Sequence, residues 1–319
     1  MILRNQSGAP VVARVTYPRY DRGPVTTSFS TSNGTYGKIP IMGMESHNRT
    51  SLSPEQQESF ERDGYVIVRT LFSLDELLPL AEHFDRLARE GVQFDGFWHP
   101  DPSAEDSLER FPRVYQAHRF HDLSREILLD ERLHQVLMQL YGEEPLAAQS
   151  MFYFKPPGAR GQALHQDNRA LQARPTTCMA AWIAIDPATP ENGGLYVVPG
   201  SQNMELICPH LADRKVSGTA HALDVPEGME LVPALLDPGD VLFFNGSLIH
   251  GSQPNEHSTL WRRAYILHYV TASTRTGGSD RNPLLDFDGN EINIGVTEGG
   301  GPCGGEYLPR ELLNQRSGY

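Results

Sequence analysis

The chain has 319 residues and a formal net charge of −13, from 40 acidic and 27 basic side chains. That balance excludes the basic face a general nucleic-acid binder needs. No apolar run approaches the roughly 18 residues of a membrane span, and a hydrophobic share of 39% suits a chain that buries a core rather than a disordered one.

Residues 1–50 lack sustained periodicity and read as an irregular extension, clustered in Gly, Ser, Thr and Asn as in TTSFSTSNGTYG. The N-terminus has no continuous apolar segment and no cleavage site of the secretory kind, so the expected compartment is cytoplasmic. The Asn33 and Asn48 sequons then read as chance. Cys178, Cys208 and Cys303 are an odd, widely spaced set, neither a disulfide framework nor a zinc pattern. The expectation is isolated reduced thiols.

Regular structure is expected from Ser53-Pro54-Glu55-Gln56, where Ser53 can cap a helix, Pro54 suits its first position and Gln56 completes a capping box. Asp63-Gly64 ends that helix, and Tyr65 to Arg69 reads as a strand. Ser73-Leu74-Asp75-Glu76 opens a second helix to about Glu90, with Leu77, Leu78, Leu80, Ala81, Phe84 and Leu87 at helical spacing. A third is predicted from Leu123 to Tyr141, closed by Gly142. Beyond Gly142 short apolar runs alternate with turn residues. Residues 147–155, 177–186, 195–198, 230–236, 240–245 and 263–271 read as strands. Helices first and strands after predict an α+β fold, helices packed on a β-sandwich or barrel. One domain over 51–275 is expected, followed by a loop-rich tail over 276–319.

The chemistry-bearing residues are His165-Gln166-Asp167 and His250. In extended chain, alternate residues share a face, so His165 and Asp167 can present an imidazole and a carboxylate to one point. His250 ends the apolar run from Val241, where a second strand can deliver it to the same place. Two histidines and one carboxylate make the facial triad of non-haem Fe(II) oxygenases. With 12 His and 40 acidic residues in the chain, an isolated H-x-D carries little weight. Arg262, at the mouth of WRRAYILHYV, adds a guanidinium fork suited to a carboxylate. Arg263 is an equally basic neighbour, and strand alternation sends the two to opposite faces.

Four segments, in order, carry a family resemblance. They are SLSPEQQESFERDGYVIVRTLFSLDEL, MFYFKPPGARGQALHQDN, ENGGLYVVPGSQ and PGDVLFFNGSLIHGSQPN with WRRAYILHYV. Over about Leu52 to Thr271 the chain resembles the phytanoyl-CoA dioxygenase family of Fe(II)/2-oxoglutarate oxygenases. The resemblance implies a double-stranded β-helix core, of jelly-roll or cupin type. His165, Asp167 and His250 match the iron ligands and, with Arg262, the catalytic set. Arg262 matches the arginine for the distal carboxylate of 2-oxoglutarate, and Ser252 a hydroxyl that helps hold it. Trp182, Met151, Gln166 and Arg113 match further cosubstrate-pocket positions. The bland readings are core for Trp182 and Met151, and a turn for Ser252. Lys155 flanks a loop, His268 is a core histidine, and the Asn192-Gly193-Gly194 turn and Pro199-Gly200-Ser201 are architectural.

The implied reaction uses Fe(II), 2-oxoglutarate and O2, releases succinate and CO2, and hydroxylates or otherwise oxidises a C–H bond. Asp167 fills the coordination position that related halogenases leave to halide, so hydroxylation is favoured. The expected partner is a small-molecule substrate, with neither nucleic acid nor membrane, and a homodimer is compatible. Residues 202–229 and 94–120 are the candidate substrate loops, with His118 or His121 as candidate mouth residues. Their His, Arg, Trp and Tyr content suits a polar or aromatic metabolite of secondary metabolism. The alternatives are an acyl-CoA hydroxylase and a non-catalytic metal-binding member of the same fold.

Overall fold

In the computed structural model, the described residues are 50–298 and two N-terminal strands. Those strands, Ile2–Arg4 and Pro10–Val12, pair antiparallel. The remaining expectations for residues 1–49, for Cys303 and for the glycines from Gly299 lie outside the described residues. The chain divides into two compact units, Met1–Arg49 and Thr50–Tyr319.

In the larger unit the capping box forms as expected. Ser53 accepts from the Gln56 N–H, and Gly64 closes the Pro54–Asp63 helix at φ 83°. The Leu74–Glu90 helix buries Leu77, Leu80, Ala81, Phe84, Leu87 and Ala88 along one stripe. The predicted third helix is instead two, Asp122–Leu128 and Glu131–Tyr141. Asp130 breaks it: its carboxylate accepts from the Arg132 N–H at 2.9 Å and caps the second helix.

All seven predicted strands are present, with ends trimmed by one or two residues in most cases. The larger of the two sheets with more than two strands runs, in spatial order, Glu291–Ile292, Leu284–Leu285, Pro145–Tyr153, Ala264–Thr271, Met179–Ala184, Val241–Asn245 and Tyr65–Val68, with Val114–Tyr115 also on Pro145–Tyr153. The smaller runs Val232–Ala234, Leu195–Val197, His250–Ser252 and Gln162–His165. The segment expected to be a tail from 276 therefore contributes Leu284–Leu285 and Glu291–Ile292 to the large sheet. These pairs are too short for a period-2 pattern to show.

Alternation sorts the large sheet into two faces. Val241, Phe243, Tyr265, Leu267 and Tyr269 join the helices in one core. Leu242, Phe244, Ala264, Ile266 and Trp182 face the smaller sheet and fill the space between the two. Tyr265 and Tyr269 are fully buried, and each donates its hydroxyl at 2.7 Å to a carbonyl of the Asp122–Leu128 helix, Ser124 and Leu128 respectively. The helical layer is thereby tied to the strand that begins beside Arg262. His118 and His121 belong to that layer rather than to the barrel mouth. His118 bonds Ser150 Oγ at 2.7 Å, and the His121 ring stacks on His83. Within 94–120, Trp98 is buried in the same core and Val114–Tyr115 pairs with Phe152 and Met151. Cys178 is a buried free thiol.

Candidate metal centre and cosubstrate pocket

His165 is the last residue of Gln162–His165 and pairs across the smaller sheet with His250, the first residue of its strand. Asp167 is not in a strand. It begins the short helix Asp167–Leu171, and only Gln166, at φ −122° and ψ 124°, is extended between them. One extended residue is enough to keep His165 and Asp167 on a common side. One ligand atom from each of His165, Asp167 and His250 lies within 4.8 Å of the others. His165 Nε2 is 3.4 Å from Asp167 Oδ1, and His250 Nε2 is 3.6 Å from Asp167 Oδ2.

Each ligand is oriented from behind. The Nδ1 of His165 bonds the Ala163 carbonyl at 2.9 Å and that of His250 the Leu248 carbonyl at 3.0 Å. Each bond points Nε2 at the common centre and sets the tautomer for ligation. Asp167 takes a hydrogen bond from His268 Nε2 at 2.9 Å. His268, read from sequence as a core histidine, is thus a buried brace on the metal carboxylate. Burial alone would raise the Asp167 carboxyl. Its neighbours His268 and His250 and the bonds from His165 and His268 outweigh that and hold it well below the usual carboxylate range. Burial, with His165 alongside, lowers His250 to about 4. Both therefore sit in the forms that bind a cation.

Gln166 is buried but turned away from this centre. Its amide spans Ser247 O at 2.8 Å and the Ile207 N–H at 2.9 Å. Asn168 adds a bond to Ser247 Oγ at 2.8 Å. These two side chains clamp the chain on both sides of Asp167. The match of Gln166 to a pocket-lining position is not what the packing gives; an alternating side chain next to two ligands must face the other way.

Beside the triad lies a second cluster. Arg262 is 2% exposed, its guanidinium stands 5.4 Å over the Trp182 ring, and its Nε donates to Gly193 O at 3.2 Å. Its Nη1 is enclosed without a hydrogen-bond partner among the described residues. Burial lowers this group to about 10, which leaves it charged at neutral pH. Arg263 points outward into a bidentate pair with Asp186 and a bond to Asp85, each at 2.8 Å. Ser252 Oγ accepts from Lys155 Nζ at 2.7 Å and from the Gln162 N–H at 3.2 Å. Both lone pairs are used, so the hydroxyl hydrogen is left to donate. Met151 is buried on the interior face with Trp182. The guanidinium of Arg113 lies 4.9 Å over the Tyr153 ring. Tyr153, which feels the charges of Arg113, Asp167 and Arg262, is pushed up by burial.

Two of these residues have no site role in the sequence reading: Tyr153, and Lys155, which is expected only to flank a loop. Lys155 Nζ has three acceptors, Gln253 O at 2.6 Å, Ser252 Oγ at 2.7 Å and Gly193 O at 3.1 Å. Burial and the adjacent Arg262 push the ammonium well below its ordinary value. Gly193 is accordingly more than a turn residue. Its carbonyl receives both cations, and a Cβ there, at φ 73°, would meet Gln253 O and Lys155 Cδ at 2.7 Å. An apolar stretch ending in a lone Lys before Pro156-Pro157 is the only signal the sequence carries for it.

The donor set fits the groups the resemblance implies. Two imidazoles and a carboxylate on one side suit Fe(II) with positions left open. An enclosed, part-unpaired guanidinium next to a free O–H donor suits one carboxylate of 2-oxoglutarate. Along the outer side of the Gln162–His165 strand, residues 216–223 bond to Gly161 and Leu164, which sets part of the 202–229 segment next to the metal strand.

The comparisons agree with this architecture. The phytanoyl-CoA dioxygenase (PhyH) family profile matches residues 60–264. A phytanoyl-CoA dioxygenase of Arabidopsis thaliana is 26% identical over 257 residues, covering 69% of this chain and 89% of the relative. The ectoine dioxygenase of Sphingopyxis alaskensis is 25% identical, covering 68% and 75%. Among solved structures, that of EctD from S. alaskensis with bound Fe superimposes with a TM-score of 0.59 at 22% identity over 82% of this chain and 93% of that one. The epimerase SnoN in complex with Fe3+ and alpha ketoglutarate gives 0.56 at 21% identity, covering 69% and 84%. The chain belongs to the phytanoyl-CoA dioxygenase (PhyH) family, whose enzymes are 2-oxoglutarate-dependent non-haem iron oxygenases.

Proposed function

We propose that the protein hydroxylates a C–H bond of a small organic molecule, in secondary metabolism, with release of succinate and CO2 from 2-oxoglutarate. The observation that carries this reading is Arg262, a buried cation whose Nη1 has no partner among the described residues, beside a complete His165–Asp167–His250 triad. A guanidinium is costly to bury without a counter-charge, so its presence argues for an anion that arrives there. Iron with 2-oxoglutarate and O2 supplies the oxidising power; the rest is the chain's own contribution. His165, Asp167 and His250 would hold the metal from one side. Arg262 and the O–H of Ser252 would hold the distal carboxylate of the cosubstrate, with Trp182 and Met151 excluding water around its methylenes. Arg113 and Tyr153 flank the same pocket. Asp167 occupies the position a halide would need, which favours hydroxylation over halogenation.

The test is succinate release with Fe(II), ascorbate and 2-oxoglutarate, with and without a metabolite panel, together with binding of Mn(II) and 2-oxoglutarate by calorimetry. Asp167→Ala should lose metal binding and all turnover. Arg262→Met should keep metal binding but weaken 2-oxoglutarate by roughly 10- to 150-fold, the loss of a charge-assisted bond worth about 1.5–3 kcal/mol. Unchanged cosubstrate affinity in Arg262→Met would overturn the assignment of the pocket.

A further inference from the structure

The segment after the last long strand bridges the metal helix and the strand beside Met151. At one end the Gly278 N–H donates at 2.9 Å to the carbonyl of Leu171, the last residue of the Asp167–Leu171 helix. At the other, Gln116 Nε2 donates to Asp280 O at 3.0 Å and Arg119 to Asn282 O at 3.2 Å. Between these anchors sits Arg281. Its side chain is 11% exposed, and its guanidinium lies 5.5 Å over the ring of Tyr115, which is paired with Met151. Its Nε is buried with no partner among the described residues, and it feels the charge of Asp167. Neither the iron ligands nor the Arg262 pocket uses this cation.

What Arg281 does engage is the carboxylate of its neighbour Asp280. The same oxygen, Oδ2, accepts the Tyr115 hydroxyl at 2.7 Å. Donors from two separate elements therefore converge on one carboxylate. That carboxylate belongs to a side chain 56% exposed, so giving it up to water costs little. Burying Arg281 with Nε unmatched costs more. A guest carboxylate could take the Tyr115 and Arg281 donors and engage Nε as well.

We propose that Arg281 and Tyr115 recognise a carboxylate on the molecule being oxidised, so that the substrate is a small organic acid, and that Asp280 holds this position until the substrate displaces it. The proposal rests on the oxygenase reading above and names the substrate class for that site.

The test uses the full chain loaded with Mn(II) and 2-oxoglutarate without oxygen, so that the cosubstrate site is filled and nothing turns over. The probes are a panel of N-acetyl amino acids and hydroxybenzoic acids, each beside its primary amide, read by thermal shift and then calorimetry. The expected result is acids that raise the melting temperature where their amides do not. Arg281→Met should weaken the best acid by roughly tenfold or more, Tyr115→Phe less, and Asp280→Ala should tighten it, as loss of a competitor must. The shift produced by 2-oxoglutarate itself serves as the control for folding in each variant. Acids and amides that act alike, no acid-specific shift anywhere in the panel, or an Asp280→Ala variant that binds acids more weakly would overturn the proposal. Failure of 2-oxoglutarate to bind the wild-type protein would instead overturn the oxygenase reading.

Discussion

Lys155 shows what a single side chain does in this site. Its ammonium is buried beside Arg262, an arrangement that two like charges oppose. Three acceptors on Gly193, Ser252 and Gln253 offset that cost. By occupying a lone pair of Ser252 it turns the serine hydroxyl toward donation, and through Gly193 it shares an anchor with Arg262. Lys155→Met should leave metal affinity unchanged while weakening 2-oxoglutarate by about tenfold, the worth of one hydrogen bond to a charged group. It should also lower the melting temperature, because the buried Gly193 carbonyl and the part-buried Gln253 carbonyl lose a donor. Calorimetric titration of 2-oxoglutarate beside thermal unfolding separates the two effects. Had Lys155 been only a loop flank, neither would move. His165, Asp167 and His250 were legible because they sit in ordered segments that carry the family resemblance; an H-x-D by itself would not have singled them out among 12 His and 40 acidic residues. Strand alternation left a binary choice between Arg262 and Arg263, and the family resemblance pointed to Arg262. Lys155 and His268 were not legible, since their roles depend on partners far along the chain.

Among the elements, helix starts were the most readable, because a cap is a local bond. Glu76 illustrates the energetics. It accepts from the Ser73 N–H at 2.7 Å and pairs with Arg132 of another helix at 2.7 Å. The Arg132 bond lowers its pKa to about 2. A carboxyl depressed in the folded state contributes stability above its unfolded value near 4.5, and that contribution fades as pH falls toward 2. Glu76→Gln should therefore lower the melting temperature slightly at pH 7, by an amount typical of half-exposed pairs, about 0.3–1 kcal/mol. The gap to wild type should close between pH 4.5 and 2, as followed by circular dichroism melts in acid. Asp130, in the same network, accounts for the missed break in the third helix. It reads as one more polar residue in a periodic stretch until its carboxylate is seen capping residue 132.

At the scale of the molecule, two layers of core share one sheet. The helices pack on its outer face through Phe84, which meets Trp98, Phe120 and Phe152 and is fully buried. The smaller sheet closes on the inner face and carries both metal histidines. Phe84→Ala should cost about 3–5 kcal/mol by chemical denaturation, as large aromatic truncations in closed cores do. Surviving molecules should keep normal metal affinity, because the triad lies on the other side of the sheet. A loss of metal binding at matched folded fraction would show that the helical layer also sets the site.

The sequence by itself determined the periodicities, the caps, the facial-triad residues and the family, since each depends on residue type and on spacing within one segment or on motif order. The net charge of −13 proved no guide to the pocket, where Arg262 and Lys155 gather on the Gly193 carbonyl. Only the tertiary structure decided that gathering. It turned Gln166 away from the metal, made His268 a brace, drew Leu284–Leu285 into the sheet, and set Arg281 on Tyr115. In each case the deciding contacts join residues far apart in the chain, and no local pattern encodes which of many polar side chains a folded sheet will bring together.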